Sequence, residues 1–345
     1  MLADEALACY SVGAVTELWA AGGTAGRTWR VTTGDGVWLL RLRGARTSAP
    51  ARLAFDHGLR AHLVAHDVPT VEAVRTRSGA RWCELDGRVF ELYPYVEGRP
   101  YDATVPGAIE AAGEALARFH LAAVDYAGAQ SWSEPIGQYT ALGYSNEQSD
   151  RLDDPRLLVL QLRALATLAD QAGEGALLGR CTARAERLLG SYAGESHQRL
   201  ARWVIHGDYT PANVTCSALG GVAGIFDLDW AMPGTRCRDL ADGAHFFGNW
   251  RGPADGGDIW ALTAARAWDE AAARRFVRAY ASVAPLGADE LRTIPPAFSA
   301  RWLSIRLEGM AKVAPDQRWR FFARDVELPL AWLDMRGGAF WELAV

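Results

Sequence analysis

From Val12 to about Val96 the chain reads as strands. The segments "VTELWA", "RTWRVTT", "VWLLRLR" and "RWCELDGRVFELYPYV" are rich in β-branched and aromatic residues, and Gly22-Gly23, Gly34-Asp35-Gly36 and Asp86-Gly87 punctuate them as turns. One interruption, "PARLAFDHGLRAHLVAHDV", has helical spacing, with Leu53, Leu59 and Leu63 on one apolar stripe. The first hundred residues therefore predict an antiparallel sheet with a single helix laid against it.

After "VEGRPYD" the pattern turns helical. Pro106 opens a helix whose apolar face carries Ile109, Ala112, Leu116, Phe119 and Ala123. Asp154-Pro155 is an N-cap and N1 pair, starting a Leu-rich helix that Gly173 and Gly175 break. A second helix runs to about Leu189. Two short apolar runs follow, "RWVIHGD" and "GVAGIFDLDWA", and then a mostly helical stretch from Ile259 to about Leu333. No internal repeat appears.

The two short runs hold the candidate chemistry. "VIHGDYTPANV", Val204 to Val214, sets His206, Gly207, Asp208 and Asn213 directly behind a strand. The chain then enters "VTC", turns at Gly220-Gly221 and returns as "GIFDLD". Folded as a hairpin, this stretch brings Asp208, Asn213 and Asp227 together near one end. Phosphoryl transfer uses such a set: hard oxygen ligands hold Mg²⁺, and a separate aspartate positions the attacking hydroxyl.

Composition narrows the setting. Half of the 345 residues are apolar and 22% are charged, the balance of a globular protein with room for one two-lobed domain or two domains. A net charge of −5 gives no footprint for nucleic acid or an anionic membrane, and neither is expected as a partner. The five cysteines are scattered, with no CxxC, which predicts buried free thiols in a reducing compartment. "MLADEALACY" has no basic n-region, and no apolar run approaches the roughly 18 residues of a membrane helix, so a cytoplasmic location is expected. Of 36 basic residues only Lys312 is lysine, so arginine must serve wherever such chemistry uses a cation. Six of the histidines (His57, His62, His66, His120, His197 and His245) share no spacing and read as surface or satisfied core residues.

"HGDYTPAN", followed fourteen residues after Asn213 by "DLD", resembles the HGDxxxxN…DxD signature of the aminoglycoside phosphotransferase superfamily. That family includes choline kinase, type II homoserine kinase and antibiotic kinases, all with a protein-kinase-like fold. The likeness extends over roughly the first 250 residues. "AAGGTAGRTWRV" resembles its Gly-rich turn, "WLLRLRG" its third strand, "LAFDHGLRAHL" its first helix, "ELYPYVEG" its hinge, and "GEALARFHLA" the helix after the hinge.

The resemblance implies an α+β, two-lobed fold: an N-lobe over 1–97 that binds nucleotide and a C-lobe over 98–345 that binds the acceptor and carries a short catalytic hairpin. Asp208 would be the base that orients the hydroxyl, Asn213 and Asp227 the Mg²⁺ ligands, and Asp229 a secondary acid. His206 and Gly207 would shape the loop. Arg41 stands where the family usually has lysine, and a guanidinium can still pair bidentately with phosphate; Arg43 faces the same side and competes for the role. Asp56 stands where the family often has the glutamate that pairs with that cation, one methylene shorter. Gly26 replaces an asparagine of the Gly-rich turn. In the hinge the Pro94 carbonyl and the Val96 amide would face the adenine edge, with Tyr93 lining the back of the pocket. A bulky Tyr93, and a Pro94 that lacks an N–H, predict that GTP is used as well as ATP, with ATP the main donor.

The acceptor would sit between the HGD loop and the C-terminal helices. From Pro253 to Val345 there are 12 acidic and 12 basic residues, which gives no acidic patch for a polyamine antibiotic. Trp260, Trp268, Trp302, Trp319, Trp332 and Trp341 are expected to pack helices, with a few free to wall a pocket for a ring-bearing acceptor. The leading expectation is phosphorylation of a hydroxyl on an antibiotic or other natural product by a monomer or homodimer. The alternatives are a metabolic kinase of homoserine, choline or a sugar, and a non-catalytic nucleotide-binding protein, against which the intact Asp208, Asn213 and Asp227 argue.

Overall fold

The computed structural model describes residues 2–22, 27–130, 155–250 and 259–342. The Gly-rich turn around Gly26 and the expected cap Asp154 lie outside them.

Strands β1 (Val15–Gly22), β2 (Arg27–Thr33), β3 (Gly36–Leu42), β4 (Cys83–Leu85) and β5 (Arg88–Pro94) form one antiparallel sheet in the order β1-β2-β3-β5-β4. Leu40 of β3 is central, opposite Trp29 on one side and Leu92 on the other. Period-two alternation gives the sheet two unlike faces. Val31, Leu40, Phe90 and Leu92 lie on the apolar face, packed under Ala3, Ala6 and Leu7 of a short helix α1 (Leu2–Leu7) and under Tyr10. The sequence reading has no counterpart for α1, because six residues are too few to show a period. Arg41, Arg43, Glu91 and Tyr93 lie on the other face, towards α2 (Pro50–Ala65).

The expectation of free thiols is corrected at one pair. Docking α1 beside β4 brings the Cα atoms of Cys9 and Cys83 to 6.4 Å, and the two are disulfide-bonded across 74 residues of sequence. Cys181, Cys216 and Cys237 are buried and free.

Beyond the sheet come β6 (Arg99–Pro100) and α3 (Ala108–Ala123), whose Ile109, Ala112, Leu116, Phe119 and Ala123 are all buried as the periodicity requires. The Leu-rich stretch is two pieces, α4 (Pro155–Arg163) and α5 (Ala166–Gln171), followed after Gly173 by α6 (Gly175–Ala193) and the short α7 (Glu195–Gln198). The two short apolar runs give β7 (Trp203–Ile205), β8 (Val214–Cys216), β9 (Val222–Ile225) and β10 (Met232–Gly234). The rest is α8 (Cys237–Asn249), α9 (Ile259–Leu262), α10 (Glu270–Val283), α11 (Ala288–Gly309), α12 (Arg318–Ala323) and α13 (Leu328–Glu342). One large core joins Leu59 and Leu63 of α2 to α3, α8, α10 and α11, so the same helix braces the sheet and the helical part. Trp302 is fully buried and Trp268 stacks on Trp332 at 5.2 Å, which makes these three packing residues. No helix among the described residues is long and apolar enough to cross a membrane.

Candidate active site

The expected hairpin is β8 with β9, antiparallel from Val214↔Ile225. β7 pairs instead with β10, Ile205 opposite Met232, so the HGD loop and the DLD turn are tied at both ends. Asp208 follows β7, Asn213 immediately precedes β8, and Asp227 lies two residues past β9.

Local geometry explains why small residues fill this loop. Gly207 has φ +81°, and a Cβ there would lie 2.2 Å from the Trp230 carbonyl oxygen, so glycine is required on both counts. His206 donates from Nε2 to the Phe226 carbonyl at 2.8 Å, which orients Nδ1 towards the Asp208 N–H at 3.3 Å. The loop's own amides are caught from below. Asp239 of α8 accepts from the His206 N–H at 2.6 Å and the Gly207 N–H at 2.8 Å. His120 Nε2 stands 3.0 Å from the same carboxylate, while Tyr280 Oη is 2.8 Å from Nδ1. Burial depresses the pKa of His120 despite the carboxylate. A neutral ring then donates to Asp239 and accepts from Tyr280. Nothing in the sequence singled out Asp239 or His120; their role rests on α3 and α8 meeting beneath the loop.

Asp208 is 27% exposed at its side chain and held at both oxygens. Asn213 Nδ2 donates to Oδ2 at 2.9 Å and to the Asp208 carbonyl at 2.8 Å. Arg301 of α11 donates to Oδ1 at 2.8 Å. Asp227 is 37% exposed, sits at φ +58°, and is near enough to Asp208 for the two charges to act on one another. The amide nitrogen of Asn213 is spent on Asp208, which leaves its oxygen as the acceptor. An amide oxygen and the Asp227 carboxylate are both hard donors, and by chemistry they fit the kind of partial set that Mg²⁺ completes with phosphate and water.

The cations of β3 divide their partners differently from expectation. Arg41 makes a bidentate pair with Asp229, at 2.7 and 2.8 Å, and a third bond to Asp227 at 3.0 Å. Asp56 does not pair with Arg41; its partners are Arg43 and, at 3.2 Å, Arg52. The strand's period of two puts both side chains on one face; Arg43, one step further along, reaches Asp56 of α2, whereas Arg41 reaches Asp227 and Asp229. Arg43 also donates to Glu91 at 2.9 Å, a buried acid the sequence reading passed over. His57 Nε2 stands 3.0 Å from Glu91 as well. Burial opposes ionisation of Glu91, but His57, Arg43 and Arg41 outweigh it and hold the pKa near 2. Burial likewise opposes ionisation of Asp229, and Arg41 and Arg43 hold it well below the usual carboxylate range. Asp229 is thus a clasp: Thr47 Oγ1 donates to its carboxylate at 2.9 Å and Arg52 donates to its backbone carbonyl.

Tyr93 is buried at the end of this charged face, its ring 5.0 Å from the Arg60 guanidinium. Pro94 is exposed and Val96 half-buried beyond it, at the sheet's edge, where Tyr95 N–H donates to the Val37 carbonyl at 3.0 Å.

A family model for the phosphotransferase enzyme family matches residues 20–286. A homoserine kinase of Methylobacillus flagellatus is 24% identical over 325 residues, covering 93% of this chain and 84% of the relative. Among solved structures, an aminoglycoside phosphotransferase from Alicyclobacillus acidocaldarius superposes with a TM-score of 0.66 at 16% identity, covering 99% of this chain and 94% of the other. An amicoumacin kinase in complex with AMP-PNP, Ca²⁺ and Ami gives a TM-score of 0.64 at 14% identity over 95% and 92% of the two chains. These likenesses establish the protein-kinase-like, two-lobed α+β fold.

Proposed function

The chain belongs to the phosphotransferase enzyme family, and we propose that it moves the γ-phosphoryl group of a magnesium-bound nucleotide to a hydroxyl of a small molecule. One observation carries this reading. Asp208, partly open to solvent, is fixed by Asn213 beside a second carboxylate, Asp227, on the same exposed edge.

Each residue then has a task. Asp208 receives the acceptor hydroxyl as a hydrogen-bond donor and takes its proton as the oxygen attacks. Asn213 holds Asp208 through its amide nitrogen and turns its oxygen to the cation, with Asp227 as the anionic ligand. Mg²⁺ held there supplies neutralisation of the donor phosphates' charge. Arg41, now on Asp227 and Asp229, stands at the edge where a phosphate would lie, and its planar fork suits that anion. Pro94 and Val96 offer the carbonyl and amide for the base, with ATP the principal donor and GTP a second.

The acceptor side carries both signs of charge. Arg301 sits on Asp208 itself, and Glu308 lies 3.7 Å from Arg301. With Asp208, Asp242 and Glu308 all around it, the Arg301 charge is matched locally, so the case against a polyamine antibiotic rests on the even count of acids and bases from Pro253 to Val345. A weakly charged antibiotic or other natural product remains one acceptor class. A hydroxy amino acid such as homoserine is the second, favoured by the relative of that name and by its zwitterionic match to this mixed surface.

The test is transfer from ATP and GTP to a panel containing homoserine, choline, simple sugars and uncharged and cationic antibiotics, with product read by mass spectrometry. Asp208→Ala is the control. We expect transfer to at least one non-polycationic alcohol, lost by about 10²–10⁴ in the variant with nucleotide binding retained. A variant that keeps more than about a tenth of the wild-type kcat removes Asp208 from the base role.

A further inference from the structure

We propose that Arg301 is a positioning residue for the reaction, a bracket that holds the Asp208 carboxylate in its reactive orientation from the side opposite Asn213. The proposal rests on the reading of Asp208 as the group that orients the hydroxyl.

Arg301 is 6% exposed, and its guanidinium reaches three acids from three different places. Nη2 donates to Asp208 Oδ1 at 2.8 Å, Nε donates to Asp242 Oδ2 at 3.1 Å, and Nη1 stands 3.7 Å from Glu308 Oε1. Asp242, on α8, is fully buried, and Glu308 is itself held by the Ser304 hydroxyl at 3.1 Å. A guanidinium is planar, so contacts made by Nε and Nη1 fix where Nη2 points. Asn213 fixes the other oxygen of Asp208 at 2.9 Å. With a donor on each oxygen, rotation about the terminal side-chain bond of Asp208 is blocked, although that torsion is otherwise broad.

A stabilising role for Arg301 needs only Asp242. The reach to Asp208 crosses from α11 to the catalytic loop, where it adds an ordered contact to a group that is partly exposed.

The experiment compares Arg301→Ala, Arg301→Lys and Asp242→Asn with wild type, singly and in an Asp208→Asn background. It reads kcat, nucleotide KM, Tm, and the slow hydrolysis of Mg-nucleotide in which water replaces the acceptor. Arg301→Ala is expected to lower kcat by about tenfold to a hundredfold, the scale of a misplaced catalytic group, with nucleotide KM within about twofold. Arg301→Lys restores only part of the rate, because an ammonium cannot span Asp208 and Asp242 together, and methylguanidine added to the alanine variant restores part as well. In the Asp208→Asn background the same changes have almost no further effect, since residues acting as one unit are not additive. An undiminished loss in that background overturns the proposal, as does a fall in kcat that tracks Tm and nucleotide KM. Should Arg301→Ala fail to fold, the lysine and Asp242→Asn variants decide on the same criteria. A chain that phosphorylates no alcohol in the panel, yet loses water-dependent hydrolysis with Arg301, fails the acceptor reading and retains this one.

Discussion

Arg41 lies near the end of β3 and Arg43 just past it, both among carboxylates but with different partners. The Arg43 side chain is wholly buried between Asp56 and Glu91, so removing it takes from each buried acid one of its cationic partners and leaves Asp56 with Arg52 and Glu91 with Arg41 and His57. Breaking a buried pair in this way costs about 3–5 kcal/mol. Arg43→Ala should therefore unfold at a lower urea midpoint than wild type. Arg41→Ala also takes a partner from Asp229 and should lose stability too, but it is the variant that should raise nucleotide KM and lower kcat under conditions where it is folded. The reverse pattern, with Arg43 governing KM, means that the phosphate contact has been assigned to the wrong arginine. In the proposed reading of the hinge, one or two hydrogen bonds of about 0.5–1.5 kcal/mol each would give little discrimination between bases, which leaves the bulk of Tyr93 as the feature to test. Tyr93→Ala should change the ATP/GTP ratio of kcat/KM; an unmoved ratio, or GTP inert in the wild type, takes Tyr93 out of the base pocket.

The HGD loop is an element whose shape is set from outside itself. Its own residues supply a glycine at positive φ and a histidine that braces the Asp208 amide, but the amides of His206 and Gly207 end on Asp239, one helix away. Gly207→Ala meets the Trp230 carbonyl at 2.2 Å as well as the left-handed penalty of about 1–2 kcal/mol. The loop must shift, and a displacement of about 1 Å at Asp208 is enough for a loss near 10² in kcat. The expected result is a variant with near-normal nucleotide affinity and poor turnover. Full activity in Gly207→Ala shows that the loop relaxes freely and that the Asp239 anchor is dispensable.

Across the whole molecule, buried ion pairs and hydrogen bonds join the sheet side to the helical part: Arg41 and Arg43 pair with the Asp229 carboxylate, Thr47 donates to it, and Arg52 donates to its backbone carbonyl. Stability should accordingly follow their carboxylates. Glu91 titrates near 2 in the fold against an ordinary 4.5, so the unfolded chain binds its proton first. The stabilisation is present above about pH 4.5 and is lost as the pH falls towards 2; from the size of the shift it is on the order of a few kcal/mol. Urea midpoints measured from pH 6 to pH 2.5 should fall steeply for the wild type. Glu91→Gln should start lower and fall less, and parallel curves show that Glu91 does not drive acid unfolding.

Much of this was legible along the chain because it depends on neighbours in sequence. Alternation and turn glycines marked the strands, a stripe of leucines marked α2, and the spacing of Asp208, Asn213 and Asp227 marked the candidate site, since one loop and one hairpin suffice to bring the three together. The cluster also carries its own geometry: Gly207 is forced by local backbone, and Asn213 reaches Asp208 across five residues. The partners that fix its charge state and orientation come from far away. Arg301 lies 93 residues from Asp208, His120 lies 119 from Asp239, and Arg41 lies 188 from Asp229. In a chain with 35 arginines, no pattern says which guanidinium reaches which carboxylate. That choice belongs to the packing of α3, α8 and α11 beneath the loop and of β3 above it. Burial there removes water as a competing partner, so each acid must take the cation that the fold delivers.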